Sequence, residues 1–149
     1  MSRIAYVNGQ YVPHSQASVH IEDRGYQFAD GVYEVFAVHH GRLIGEQGHL
    51  DRLAHSLDAL QIDWPMGKGP LMVVVKEVVR RNHVKNGLVY LQVTRGVARR
   101  DHPFPAECES ALVITARKMA PLDKPTLSKG VAVITIPDIR WKRKDIKSI

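Results

Sequence analysis

Two hydrophobic periods run through this chain, and their order restricts the fold more than any other feature. Over residues 4–12 apolar and polar side chains alternate about Asn8-Gly9, a pair suited to the tight turn of a β-hairpin, and Pro13 closes the second strand. Residues 32–38 are rich in β-branched and aromatic side chains and lead through His39-His40-Gly41 to Leu43-Ile44, which predicts a second strand pair. From His49 the spacing becomes helical. Leu50, Leu53, Ala54, Leu57 and Leu60 recur on one face while Asp51, Arg52, His55, Ser56 and Asp58 fill the rest. Trp64-Pro65 and Gly67-Lys68-Gly69-Pro70 break that helix, and a second one follows with Leu71, Val74, Val75, Val78 and Val79 inward. Asn86-Gly87 then turns the chain into a strand over 88–94, a loop runs from about 95 to 109, and 111–116 reads as another strand. Strands, then two helices, then strands describe an α+β domain with a four-strand antiparallel start.

At 149 residues the chain has room for one ordinary domain, or a smaller domain plus the beginning of another. The second arrangement fits better. Pro121 and Pro125 stand among polar residues over 117–129, the best linker candidate, and 131–136 reads as a strand with no later partner in the chain. The expected organisation is a small α+β domain over 1–118, an interdomain linker over 119–129, and the start of a second, truncated domain over 130–149.

An apolar content of 44% with 24% charged residues belongs to a globular protein. The longest apolar run, residues 71–75, is too short to span a bilayer, and residues 1–20 hold no continuous apolar stretch that could act as a secretory signal, so a cytoplasmic location and no membrane partner are expected. The one cysteine, Cys108, excludes an internal disulfide, and Glu107 and Glu109 beside it should disfavour its thiolate. Eight histidines form no zinc signature, so no metal is expected, and Gly67-Lys68-Gly69 lacks the spacing of a phosphate-binding P-loop. The formal charge of +6 favours acidic partners. Nucleic acid is set aside because Trp141 alone among the aromatics is interleaved with the C-terminal cations, leaving no stacking surface.

Three groups of residues could carry chemistry. Lys147 has Arg140, Arg143 and Lys144 nearby in sequence, and neighbouring cations or burial can turn a lysine into a nucleophile; a basic surface patch is the commoner use of such a run. Arg52 lies on the polar side of the first helix, where an arginine can clamp a phosphate or simply face solvent. Arg100 and His102, spaced i, i+2 on an extended loop, face one way and could hold a carboxylate, or form an exposed basic loop.

Read together, five stretches resemble the fold-type IV, or class IV, aminotransferases that use pyridoxal 5′-phosphate, and among them the D-amino-acid transaminases. They are Tyr6-Val7-Asn8-Gly9, the run from Asp23-Arg24-Gly25 to Val32-Tyr33-Glu34, His49-Leu50-Asp51-Arg52-Leu53, Thr94-Arg95-Gly96 with Arg100-Asp101-His102, and Asp138-Ile139-Arg140-Trp141 leading to Asp145-Ile146-Lys147-Ser148. They occur in order and at the family's spacing, but along only about the first half of a family member. The resemblance implies the small N-terminal domain of that fold, an antiparallel sheet with two helices, followed by the first strands of a barrel-like cofactor-binding domain broken off just past Lys147. It implies that Lys147 forms the Schiff base with pyridoxal 5′-phosphate and later shuttles the Cα proton. Arg52 would hold the cofactor phosphate, His49 would be a supporting residue near the pyridine ring, and Arg140 would lie near the cofactor's ring oxygen. Tyr33, Arg100 and His102 would trap the substrate α-carboxylate, the last two supplied by the neighbouring subunit of a homodimer. Arg99 beside Arg100 could shift that loop by one residue. The implied reaction is ping-pong transfer of an amino group from a D-amino acid such as D-alanine to a 2-oxo acid, 2-oxoglutarate or pyruvate. The alternatives are a branched-chain aminotransferase or aminodeoxychorismate lyase of the same family, or a non-catalytic fragment acting only with a second polypeptide that supplies the C-terminal half.

Overall fold

The Asn8-Gly9 turn forms as the sequence predicts: in the computed structural model, which describes residues 3–120, 124–137 and 145–149, both residues have positive φ, 43° and 94°. They join β1 (Ile4–Val7) to β2 (Gln10–Pro13) as an antiparallel hairpin. A short helix α1 (Arg24–Phe28) follows, then β3 (Gly31–His39) and the two-residue β4 (Arg42–Leu43). The helical period produces α2 (Glu46–Ala59) and α3 (Lys68–Arg81), after which come β5 (Gly87–Thr94), β6 (Ala111–Lys118) and α4 (Lys124–Lys129).

The strands form one six-stranded sheet in the order β2-β1-β6-β5-β3-β4, with every named pairing antiparallel. The four early strands form as expected, in two antiparallel pairs that do not adjoin. The two early hairpins sit at opposite ends of the sheet, because the long late strands insert between them. β5 pairs with β3 from Gly31 opposite Thr94 to Val38 opposite Gly87, and with β6 along its whole length, far more hydrogen bonding than two short hairpins could offer one another.

Register fixes which face is the core, since side chains alternate along each strand. Tyr6, Ile114, Leu91 and Glu34 lie across from one another on the face that meets the helices. Val32, Phe36, Val89, Val93 and Leu112 share that face with Leu50, Leu53 and Leu57 of α2 and Leu71, Met72, Val75, Val78 and Val79 of α3. Val74, expected inward, is only partly buried, and Met72 takes the deeper place. Burial of each such side chain contributes roughly 1.5–3 kcal/mol, so the helices are held mainly by this shared layer.

Within the stretch expected as a linker, residues 124–129 form α4. The strand expected over 131–136 is not present: those residues pair with nothing in the sheet, and Val131, Val133, Ile134 and Ile136 are exposed. A strand is stable only with a partner for its ladder, and the described residues supply none here. Arg140, Trp141, Arg143 and Lys144 lie outside the described residues.

Candidate active site

β3 carries the site. On one side it is paired with β5; on the other, β4 covers only Val38 and His39, leaving the beginning of β3 as an edge. Residues 147–149 lie along that edge. The Tyr33 N–H donates to the Lys147 carbonyl at 3.0 Å, the Ile149 N–H donates to the Gly31 carbonyl at 3.2 Å, and Val32 and Ser148 form an antiparallel bridge. A second anchor comes from α2, whose Ser56 Oγ accepts the Lys147 N–H at 3.3 Å. The Lys147 Nζ then stands 4.2 Å from the centroid of the Tyr33 ring, within cation–π range. Tyr33 in turn stacks on Tyr90 with centroids 5.5 Å apart, and the Tyr90 hydroxyl donates to Gln92 at 2.7 Å. Burial, with Tyr33 adding to it, pushes the Tyr90 phenol up from its ordinary value.

Tyr33 and Glu34 are successive residues on a strand and so point to opposite faces. Glu34 enters the core face, where its side chain is 0% exposed, and there it meets α2. Arg52 donates to it twice, Nε to Oε1 and an Nη2 hydrogen to Oε2, both at 2.6 Å. His49 approaches Oε2 at 2.7 Å through Nδ1, and because an ionised carboxylate only accepts, Nδ1 carries the proton. Burial would raise the Glu34 carboxyl, but the hydrogen bonds and charges of Arg52 and His49 outweigh that and hold it below its ordinary value. The hydrogen bond to Glu34 raises Arg52 against its own partial burial, and Tyr33 adds to the rise. The Arg52 side chain is 46% exposed, and among the described residues no hydrogen bond engages its Nη1. His49 also packs on Phe36, ring centroids 4.6 Å apart.

Arg100 and His102 come together elsewhere. Both lie against Phe28 of α1, the Arg100 guanidinium 5.1 Å from the ring centroid and His102 at 6.0 Å, and among the described residues neither is joined to Tyr33, Arg52 or Lys147 by a hydrogen bond or ion pair. Arg99 lies 3.7 Å from Asp101 in a highly exposed pair. The base of this loop is rigidly held. Arg24 and Arg95 both donate to Asp30 Oδ2 at 2.8 Å, Arg95 also reaches the Leu60 and Gln61 carbonyls, and Arg24 donates to the Asp101 carbonyl at 2.9 Å. Burial would raise the Asp30 carboxyl, but its bonds to Arg95 and Arg24 bring it below the ordinary value. Asp23 caps α1, accepting from the Gly25 and Tyr26 N–H groups and from the Thr94 hydroxyl. The Asp-Arg-Gly, Asp-Gly and Thr-Arg-Gly stretches thus form a structural latch. Cys108 is raised, as the sequence leads one to expect, but chiefly by burial, with Asp23 and Asp30 adding to it; Glu107 and Glu109 are not its causes. It lines a cleft of about 660 Å³ with Tyr6, Met66 and Leu112, and none of the predicted site residues is among the lining.

Two site-forming residues carried no role in the sequence reading. Glu34 had a visible signal, a charge on the apolar face of an alternating strand. Ser56 had another, a hydroxyl beside Leu53 and Leu57 on the inward side of a helix.

The Lys147 amine over the Tyr33 ring, and the half-open Arg52 guanidinium that Tyr33 also influences electrostatically, are group types that could serve a phosphorylated aromatic aldehyde. The amine can attack the carbonyl and the guanidinium can hold the phosphate. Among the described residues no group of three or more His, Cys, Asp or Glu could hold a metal ion, and no helix is long and apolar enough to cross a membrane.

Residues 31–149 match the model of the family described as amino-transferase class IV. The chain is similar to D-alanine aminotransferase of Staphylococcus haemolyticus, 36% identical over 144 residues that make up 97% of this chain and 51% of that protein. It is 41% identical over 146 residues to D-alanine aminotransferase of Listeria monocytogenes serotype 4b, covering 96% and 50% of the two chains. Among solved structures, branched-chain amino acid aminotransferase of Escherichia coli superposes with a TM-score of 0.75 at 18% identity over 85% of this chain and 43% of that one. For 4-amino-4-deoxychorismate lyase of Pseudomonas aeruginosa the TM-score is 0.66 at 24% identity, over 85% and 44% of the two chains. These two likenesses show the fold. The chain spans about half the length of the curated relatives it matches.

Proposed function

The chain belongs to the class IV aminotransferase family, and on that premise we propose that it carries out pyridoxal 5′-phosphate-dependent transfer of the amino group of a D-amino acid, such as D-alanine, to a 2-oxo acid such as 2-oxoglutarate or pyruvate. The observation that carries the reading is the Lys147 amine, whose backbone is tied to β3 and to α2, the helix that also bears Arg52, and whose Nζ stands over Tyr33. The choice of D-amino acids is supported by the likeness to D-alanine aminotransferases and by the Arg100-x-His102 pair.

When bound, pyridoxal 5′-phosphate supplies the electron sink for the charge left as the substrate Cα loses its proton. The chain's own residues do the rest. Arg52, aligned by Glu34 and His49, binds the phosphate through its open side. Lys147 Nζ would hold the cofactor's aldehyde carbon and would serve as the base for the substrate Cα proton and afterwards as the acid. Tyr33 shields that amine from water on one side. Tyr33, Arg100 and His102 would hold the substrate carboxylate, the last two from a loop that serves the neighbouring subunit of a homodimer, and Arg140 would serve the cofactor's ring oxygen. A cytoplasmic setting goes with this reading.

Purified protein mixed with the cofactor tests the proposal. The expected results are a yellow complex, borohydride fixation of the cofactor on Lys147 seen by mass spectrometry, and turnover of D-alanine in preference to L-leucine. Lys147→Ala should lower turnover by about a thousandfold or more. A colourless preparation with no adduct sinks the catalytic reading and favours a non-catalytic fragment. Turnover of L-leucine, or of aminodeoxychorismate, in preference to D-alanine sinks the substrate assignment alone.

A further inference from the structure

We propose that Ser56 is a positioning residue that sets where the Lys147 amine stands relative to Arg52; the proposal rests on the roles of Lys147 and Arg52 given above. The four buried residues of α2 are Leu50, Leu53, Ser56 and Leu57, so a hydroxyl occupies a place in an otherwise apolar layer. It is 1% exposed. For packing and helix propensity alone alanine would serve better, since serine is the poorer helix former and a buried hydroxyl needs a hydrogen-bond partner. A buried helical serine commonly turns back to a carbonyl of its own helix. Here its oxygen reaches outward instead and accepts the Lys147 N–H at 3.3 Å.

That bond closes a bracket. On its other side the Lys147 carbonyl accepts the Tyr33 N–H at 3.0 Å, so the two peptides flanking the lysine are held, one by the helix and one by the strand. With the backbone pinned, only the four-carbon side chain remains free to place Nζ. Ser56 follows Arg52 by four residues, one turn on the same helix, so the phosphate clamp and the lysine anchor share a rigid body about 6 Å apart along its axis. A second tie, His55 Nε2 to Asp145 Oδ2 at 3.2 Å, is exposed at both ends and contributes little beside it. Glu34 sets the direction of Arg52 from the strand; Ser56 sets the height of Lys147 from the helix.

The test compares Ser56→Ala and Ser56→Thr in the purified protein with two ligands. Pyridoxamine 5′-phosphate has the ring and phosphate but no aldehyde, so it reports Arg52 and its surroundings. Pyridoxal 5′-phosphate also condenses with Lys147 Nζ, forming a C=N bond with loss of one water. Ser56→Ala should bind pyridoxamine 5′-phosphate like the unaltered protein yet lose roughly tenfold in the equilibrium for covalent attachment, the equivalent of one hydrogen bond, with the pH midpoint of the bound cofactor's absorbance displaced. Ser56→Thr, which keeps the hydroxyl, should recover both. Unchanged attachment in Ser56→Ala, equal loss for both ligands, or a selective loss that Ser56→Thr does not restore would each overturn the proposal. Failure of the unaltered protein to attach pyridoxal 5′-phosphate at Lys147 condemns the functional reading instead, before Ser56 comes into question.

Discussion

A carboxylate at position 34 sits where the alternation of β3 calls for an apolar side chain, between Val32 and Phe36 on the face that packs against α2. It persists there because Arg52 and His49 saturate it. Glu34→Gln removes the charge and leaves the guanidinium poorly matched, and should lower stability by about 2–3 kcal/mol, less than for a wholly buried pair because Arg52 is half open. Urea denaturation measures it; a change within experimental error would mean that the pair is not formed in solution. Glu34 and Asp30 are both held below their ordinary values in the fold. Their stabilisation is therefore fully present above the unfolded carboxylate range, about pH 4, and is lost as pH falls below it through the folded values. The denaturation midpoint of the unaltered protein should drop across that acid range, and Glu34→Gln should show a shallower drop. Tyr33, Arg52 and Lys147 could be singled out as candidates from the sequence because each lies in a short motif. The partner of Arg52 could not be, because it is 18 residues away and only the packing of α2 on β3 brings the two together.

At the scale of elements, α1 ends on Ala29 in the left-handed region, φ 54°, a conformation that an L-residue other than glycine or asparagine adopts at a cost. Ala29→Gly should therefore stabilise the protein by about 0.5–1 kcal/mol, visible as a rise in thermal midpoint, whereas an unchanged or lower midpoint would show that the cap is unstrained. Gly96 is the opposite case. Its φ is 101°, and a Cβ there would stand 1.8 Å from the Glu109 carbonyl oxygen, so Gly96→Ala should cost about 3 kcal/mol or more and loosen the loop that carries Arg100 and His102. Normal stability in that variant, by the same melt, would mean that the loop seats differently. Both long helices, the Asn8-Gly9 hairpin and β5 and β6 were legible from period and turn chemistry, which are local. α1 was not: five residues hold too little periodicity to announce a helix, and its cap depends on Thr94, 71 residues from Asp23.

Across the whole molecule, the sheet and its two helices share one core, while residues 131–137 run outside it with their valines and isoleucines in solvent. Brief trypsin treatment should cut first after Lys129, leaving the sheet intact, because backbone without a ladder or buried contacts opens most readily. A first cut within 87–118, seen by mass spectrometry, would contradict this division. Strand and helix periods, turn pairs and the order of the five motif stretches determined the α+β class and the family and singled out Lys147, Arg52 and Tyr33 as candidates, since these depend on short-range spacing that a linear chain displays directly. Only the tertiary structure decided that the early hairpins part to opposite ends of the sheet, that Glu34 aligns Arg52, and that Ser56 and the edge of β3 together grip Lys147. Each of those contacts joins residues distant in sequence, and their pairing is settled by strand register and by burial in the common core, neither of which any local pattern contains.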